Sequence, residues 1–107
     1  MRPLDVLPRD LGIVRKILAQ YVSEYDVYAF GSRVTGKARR ASDLDLAVMT
    51  HKPIETGCMA DMREAFSESE LPFKVDIIDW AGIEENFRKI IKQDRVKIQV
   101  GKKKVRS

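Results

Sequence analysis

The stretch Asp43-Leu44-Asp45-Leu46-Ala47-Val48-Met49 alternates strictly, and it constrains the chain more than any other segment. With successive side chains on opposite faces, Leu44, Leu46 and Val48 share one side of a strand, and Asp43, Asp45, Ala47 and Met49 share the other. The first set asks for a core behind it. The second places two carboxylates about 6.6 Å apart along the strand. Two like charges that close, on a strand otherwise built for burial, are costly unless a cation neutralises them.

The rest of the pattern supplies neighbours for that strand. Pro8 and Asp10 open a helix in which Leu11, Val14, Ile17, Leu18, Tyr21 and Val22 recur at helical spacing, ending near Glu24. Residues 26–30 are rich in β-formers and stop at Gly31, which predicts a strand followed by a sharp junction and a short helical turn ending at Gly36. Residues 37–42 form an exposed polar loop. Beyond Pro53, Met59, Met62, Ala65 and Phe66 predict a second long helix. Residues 74–79 predict a third strand, and Ile83, Phe87, Ile90 and Ile91 a third long helix. Val96, Ile98 and Val100 alternate as a short extended segment. The order helix, strand, turn, strand, helix, strand, helix places the chain in the α/β (α+β) class.

At 107 residues there is room for one domain, expected over 1–100, with a basic, disordered tail at 101–107. A core this small leaves little space for a deep cleft holding two substrates, so help from a partner is expected. The net charge of +4 suggests nucleic acid at first sight, but Lys102, Lys103, Lys104 and Arg106 account for it. Taking those four from 20 leaves 16 basic against 16 acidic side chains, so the body is near neutral and direct nucleic-acid binding is disfavoured. One cysteine, Cys58, excludes an internal disulfide and suits a reduced, cytoplasmic compartment. No recognisable motif makes the single histidine, His51, a helper for a Cys58 nucleophile. No apolar run approaches a membrane helix, and no secretory h-region is visible at the N-terminus.

The chemistry concentrates in Gly31-Ser32, then ten residues, then Asp43-Leu44-Asp45, with Asp76 in a later apolar strand. Hard oxygen ligands on one face favour Mg²⁺ or Mn²⁺, with phosphate oxygens completing the shell. Asp76 lies between Val75 and Ile77; if those face the core, Asp76 joins Asp43 and Asp45, either holding metal or serving as base for a hydroxyl. Asp79 has the opposite phase and is expected to serve as a turn or cap residue. Gly31 lets backbone N–H groups approach a phosphate, Ser32 adds a hydroxyl, and a helix beginning there favours the same anion. Arg33 is carried with them as a phosphate contact, whereas Lys37, Arg39 and Arg40 belong to a solvated loop. Taken singly, each element has a blander origin. Gly-Ser is common at turns, Asp-X-Asp occurs on edge strands and in glycosyltransferase and phosphatase metal sites, and a lone Asp76 fits an amphipathic strand. Their order, each at a strand or strand end, favours a joint site.

At these residues the chain resembles the nucleotidyltransferase superfamily that includes DNA polymerase β and kanamycin nucleotidyltransferase. It is most similar to the minimal nucleotidyltransferases of prokaryotes, from Val14 to about Gln99, through Ala29-Phe30-Gly31-Ser32-Arg33-Val34, Ser42-Asp43-Leu44-Asp45-Leu46-Ala47 and Val75-Asp76-Ile77-Ile78-Asp79-Trp80. The resemblance implies the nucleotidyltransferase fold, a small mixed sheet flanked by helices. It implies Gly31 and Ser32 on a triphosphate, Asp43 and Asp45 on Mg²⁺ or Mn²⁺, and Asp76 completing the carboxylate set. Family members act as antitoxins to an all-helical HEPN-domain RNase toxin and transfer AMP from ATP to one of its tyrosines. The same activity and partner are therefore expected here. The rivals are an antitoxin that only masks its partner, and a two-metal phosphoesterase or nuclease.

Overall fold

The computed structural model describes residues 4–102. Helix α1 (Pro8–Tyr21) is followed by strand β1 (Val27–Phe30), the one-turn helix α2 (Ser32–Thr35) and strand β2 (Leu44–Val48). Helix α3 (Thr56–Ser67), strand β3 (Val75–Asp79), a 3-10 turn (Trp80–Gly82), helix α4 (Glu85–Gln93) and strand β4 (Arg95–Gln99) complete the order. Pro8 suits the first position of α1, where its fixed φ is helical and its missing N–H has no acceptor to lose. Val14 and Leu18, one turn apart, are fully buried, and the chain leaves the helix at Val22.

The strands form one mixed sheet in the order β3-β2-β1-β4. β2 and β3 are parallel, as a crossover through α3 requires, and β1 is antiparallel to both β2 and β4. One face carries Val27, Ala29, Leu44, Leu46, Val48, Ile77 and Ile98, all buried against Val14 and Leu18 of α1 and Met62 and Phe66 of α3. The alternation from 43 to 49 therefore sorts as expected: its leucines and Val48 lie in the core and its carboxylates on the reverse face. That reverse face is only partly covered. Phe87 of α4 meets Phe30 edge-on, with ring centroids 6.0 Å apart, and Ile91 is buried.

Three boundaries differ from expectation, each for a local reason. α1 ends three residues before Glu24, where the Val22 backbone leaves helical geometry. Ile83 precedes α4, because the 3-10 turn intervenes and Glu84 becomes the cap; Ile90 points outward, 62% exposed. The fold also runs past residue 100. The Gly101 N–H donates to Asp26 Oδ1 at 2.7 Å and that of Lys102 to the Ser23 carbonyl at 2.8 Å. The remainder of the expected tail, 103–107, lies outside the described residues. Among the described residues no helix is long and apolar enough to cross a membrane.

Asp79 has the turn role expected of it. Its carboxylate accepts the Thr50 hydroxyl and, at 2.6 Å, the Ile54 N–H, and the Ala81 N–H donates to Thr50 Oγ1 at 3.1 Å. This ties the segment after β2 to the end of β3. Asp79→Ala leaves the buried Thr50 hydroxyl and the Ile54 amide without that acceptor, and is expected to cost about 1–3 kcal/mol in urea unfolding. An unchanged midpoint would contradict this anchoring role.

Candidate active site

Register decides which side chains meet. Asp45 stands opposite Phe30 of β1 on one side and Asp76 of β3 on the other. Laterally paired residues project from the same face, about 4.8 Å apart between strands, so Asp45 and Asp76 are neighbours. Asp43, two residues earlier and immediately before β2, extends this acidic surface to the mouth of the sheet. Asp45 is half-buried, while Asp43 and Asp76 are exposed. Burial first, then the charges of Asp76 and Asp43, push the Asp45 carboxyl from its ordinary 3.8 up to about 6.

Gly31 brings the β1–α2 turn directly over that carboxylate. Its backbone lies at φ 79, ψ −155, a region that essentially only glycine occupies. A Cβ at this position would run into the Asp45 carboxylate. Val34 and Thr35 N–H groups close the first turn of α2 on the Gly31 carbonyl at 3.0 and 3.1 Å. The turn ends at Gly36, whose left-handed φ of 82 halts the helix. Ser32 occupies the first helical position, half-exposed, where helix amides have no intrahelical acceptor. The expected phosphate cradle and the expected metal carboxylates are thus in direct contact.

Arg33 has a different role from the phosphate contact expected of it. The residue is 7% exposed. Its guanidinium donates to the Ser42 carbonyl at 2.8 and 3.0 Å, to Arg40 O at 3.2 Å and to Asp5 O at 2.9 Å, and it lies 4.3 Å from the Phe73 ring centroid. Those bonds fix the loop that delivers Asp43. Its partners are main-chain carbonyls, and no residue pattern announces them. Cys58 is half-buried and donates to the Tyr21 carbonyl at 3.6 Å. Burial, then Glu24, Glu55 and Asp61, push its thiol pKa up, which keeps it protonated and a poor nucleophile.

The row across the sheet continues beyond Phe30 to Arg95 of β4, which sequence reasoning missed; its guanidinium lies 4.1 Å from the Tyr28 ring centroid. Only strand order reveals that Arg95 and Asp45 share a row. On the other flank, a groove of about 890 Å³ is walled in part by Asp43 and Asp76. Among the described residues, no three acidic, cysteine or histidine side chains close up into a preformed metal cage. The donors are carboxylates on one face, repelling one another beside a turn with helical amides. That chemistry fits a hard divalent cation whose remaining ligands are phosphate oxygens.

A mixed sheet with these carboxylates beside a Gly-Ser turn defines a nucleotidyltransferase core, and comparison agrees. The family model described as Polymerase beta, Nucleotidyltransferase matches residues 14–102, and the chain belongs to that family. A "Probable protein adenylyltransferase MntA" of Haemophilus influenzae is 49% identical over 102 residues, which span 95% of this chain and 90% of that protein. The chain is accordingly an enzyme of the nucleotidyltransferase class. A toxin-antitoxin crystal structure with AMP-PNP superposes at a TM-score of 0.71 and 20% identity, over 86% of this chain and 73% of that one. A Shewanella oneidensis complex of a tri-AMPylated HEPN toxin with an MNT antitoxin gives 0.65 at 18% identity, over 88% and 71%. These likenesses establish the fold.

Two outcomes follow from the packed carboxylates. The folded state holds the Asp45 proton more tightly than the unfolded chain. Between pH 3.8 and about 6, stability therefore falls as pH rises, and above that window the full penalty is present. Metal-free Asp45→Asn is expected to gain about 1 kcal/mol at pH 8 once solvent screening is allowed for, and close to none at pH 4. Urea unfolding at both values measures it, and equal gains would contradict the assignment. Gly31→Ala forces a strained backbone against Asp45 and is expected to cost about 1–3 kcal/mol in thermal unfolding; a wild-type Tm would show that the turn does not depend on glycine.

Proposed function

We propose that this chain transfers AMP from ATP to a tyrosine hydroxyl of a partner HEPN protein, using Mg²⁺ or Mn²⁺. The observation that carries the reading is the lateral pairing of Asp45 with Asp76, directly beneath the Gly31 turn. Its support is the 49% identity to a protein named a probable protein adenylyltransferase, together with a fold shared with antitoxins solved beside a HEPN toxin.

In this reading Gly31, Ser32 and the first amides of α2 hold the triphosphate. Asp43 and Asp45 hold the metal, which supplies charge neutralisation at the phosphoryl oxygens when bound. Asp76 completes the set on the acceptor side and receives the hydroxyl proton. The acceptor oxygen forms a bond to the α-phosphorus, the bond to the bridging oxygen breaks, and pyrophosphate leaves. Catalysis of this kind rests on positioning and charge stabilisation, which a compact site can provide once the partner brings the hydroxyl. A single cysteine, Cys58, suits a reduced cytoplasm as the setting.

Masking without transfer is the rival reading. Three carboxylates on one face, one of them pressed against a glycine turn, cost stability and serve no purpose in a passive mask. A diesterase would not need the Gly-Ser cradle. The test is to co-express the chain with its HEPN partner, add labelled ATP and Mg²⁺, and locate the label by mass spectrometry. AMP on a partner tyrosine, with pyrophosphate released, is expected. Asp45→Ala or Asp76→Ala should lower the rate by on the order of 10³-fold with the fold retained. Full activity in Asp45→Ala, or label confined to RNA, would defeat the proposal.

A further inference from the structure

One buried carboxylate outside the candidate active site has nothing to bind. Asp10, in the first turn of α1, is 8% exposed. Among the described residues its carboxylate accepts no hydrogen bond and forms no ion pair. Burying a carboxylate unpaired is unfavourable. The N-terminus of α1 offsets part of that cost through its dipole, but it donates no bond to the group. The other buried polar side chains are engaged: Arg33 donates to main-chain carbonyls, and the Thr50 hydroxyl donates to Asp79. Asp10 stands apart from them.

Asp10 lines a pocket of about 330 Å³. This pocket adjoins the groove beside Asp43 and Asp76, and Pro72 and Phe73 line both. Leu7, 61% exposed, and Pro72 give it accessible apolar surface. Arg33 also lines it without pairing with Asp10, because its guanidinium is held by the carbonyls of Asp5, Arg40 and Ser42. The remaining charged side chains of the wall, Asp5, Arg39 and Arg40, are exposed. The pocket thus combines a buried, unpaired anion with cations that reach solvent. It is at the small end of ligand sites, which run from roughly 300 to 1,000 Å³, and so suits one long side chain.

We infer that this pocket is a docking socket for a basic side chain of the partner protein, a lysine or arginine with a carboxylate close beside it. The ammonium or guanidinium reaches Asp10 and supplies its missing partner. The aliphatic stem lies along Leu7 and Pro72, as long cationic side chains do on apolar surface. The carboxylate beside it meets Arg39 and Arg40, which offsets their repulsion of the incoming cation. Because Pro72 and Phe73 are shared, a partner held here is registered against the groove next to Asp43 and Asp76. The inference rests on the partner named in the proposed function and is independent of the transfer of AMP.

The test is isothermal titration of the full chain with its HEPN partner, for the wild type and for Asp10→Asn, which keeps the shape and removes the charge. Partner affinity is expected to fall about ten-fold, while affinity for α,β-methylene-ATP with Mg²⁺ stays within about two-fold. The Tm of the free variant should not fall, because the free chain loses no bond. A second arm uses N-acetylarginine, which carries both charges, as an NMR probe. Saturable amide shifts are expected at Leu7, Asp10, Arg39 and Phe73, and none from N-acetylcitrulline, whose head group is uncharged. A lower Tm in Asp10→Asn with unchanged partner affinity would make Asp10 a structural charge at the helix end and overturn the socket. Equal shifts from both probes, or shifts confined to the Gly31 turn, would overturn it as well. Failure of the wild-type chain to bind the HEPN protein would count against the proposed partner, and the N-acetylarginine titration would still decide whether the pocket takes a cation.

Discussion

The structure is organised around a repulsion. Asp45 is held half-buried beside Asp76 and near Asp43, and the sheet register leaves it no alternative position. Everything near it either tolerates this charge or exploits it. Glycine at 31 lets a turn pass where any side chain would strike the carboxylate. The leucines on either side of Asp45 are fully buried behind the sheet, so core packing holds the strand against the strain on its other face. A cation held by these carboxylates would relieve that repulsion.

Much of this arrangement is legible in the residues. Strict alternation from Asp43 to Met49 fixes both the strand and its two faces, because a one-residue slip would exchange them. Asp76 between Val75 and Ile77 places the third carboxylate by the same logic, and Asp79, out of phase, reads correctly as an anchor. The illegible part depends on distant partners. Arg33, beside Gly31-Ser32, looks like a phosphate ligand in one dimension. Its actual partners are carbonyls of Asp5, Arg40 and Ser42, and a carbonyl's location carries no residue signature. Ile90 fits a helical apolar pattern, but Phe87 and Ile91, one turn apart, form the packed stripe of α4 and leave it on the solvent side. The row that joins Asp76, Asp45, Phe30 and Arg95 needs strand order, which alternation within single strands does not contain.

This small domain places its candidate site on the uncovered face of its sheet. The apolar face supports a single core shared by α1 and α3. The opposite face is left partly bare beyond α4, and the carboxylates occupy that uncovered part. No second domain of this chain closes over them within the described residues, so the surroundings of the reacting atoms are open to a macromolecular partner.

Arg33 has one further consequence, which concerns tolerance to substitution. Its guanidinium grips the loop before Asp43 only through main-chain oxygens, so the shape of that loop does not depend on the side chains at 40 and 41. Those side chains can be exchanged without removing a bond to Arg33. Lysine at 33, although equally charged, lacks the planar fork that reaches several carbonyls and stacks on a ring. The loop's geometry therefore rests on one arginine outside it and on the Ser42 hydroxyl, which accepts the Arg39 N–H at 2.8 Å.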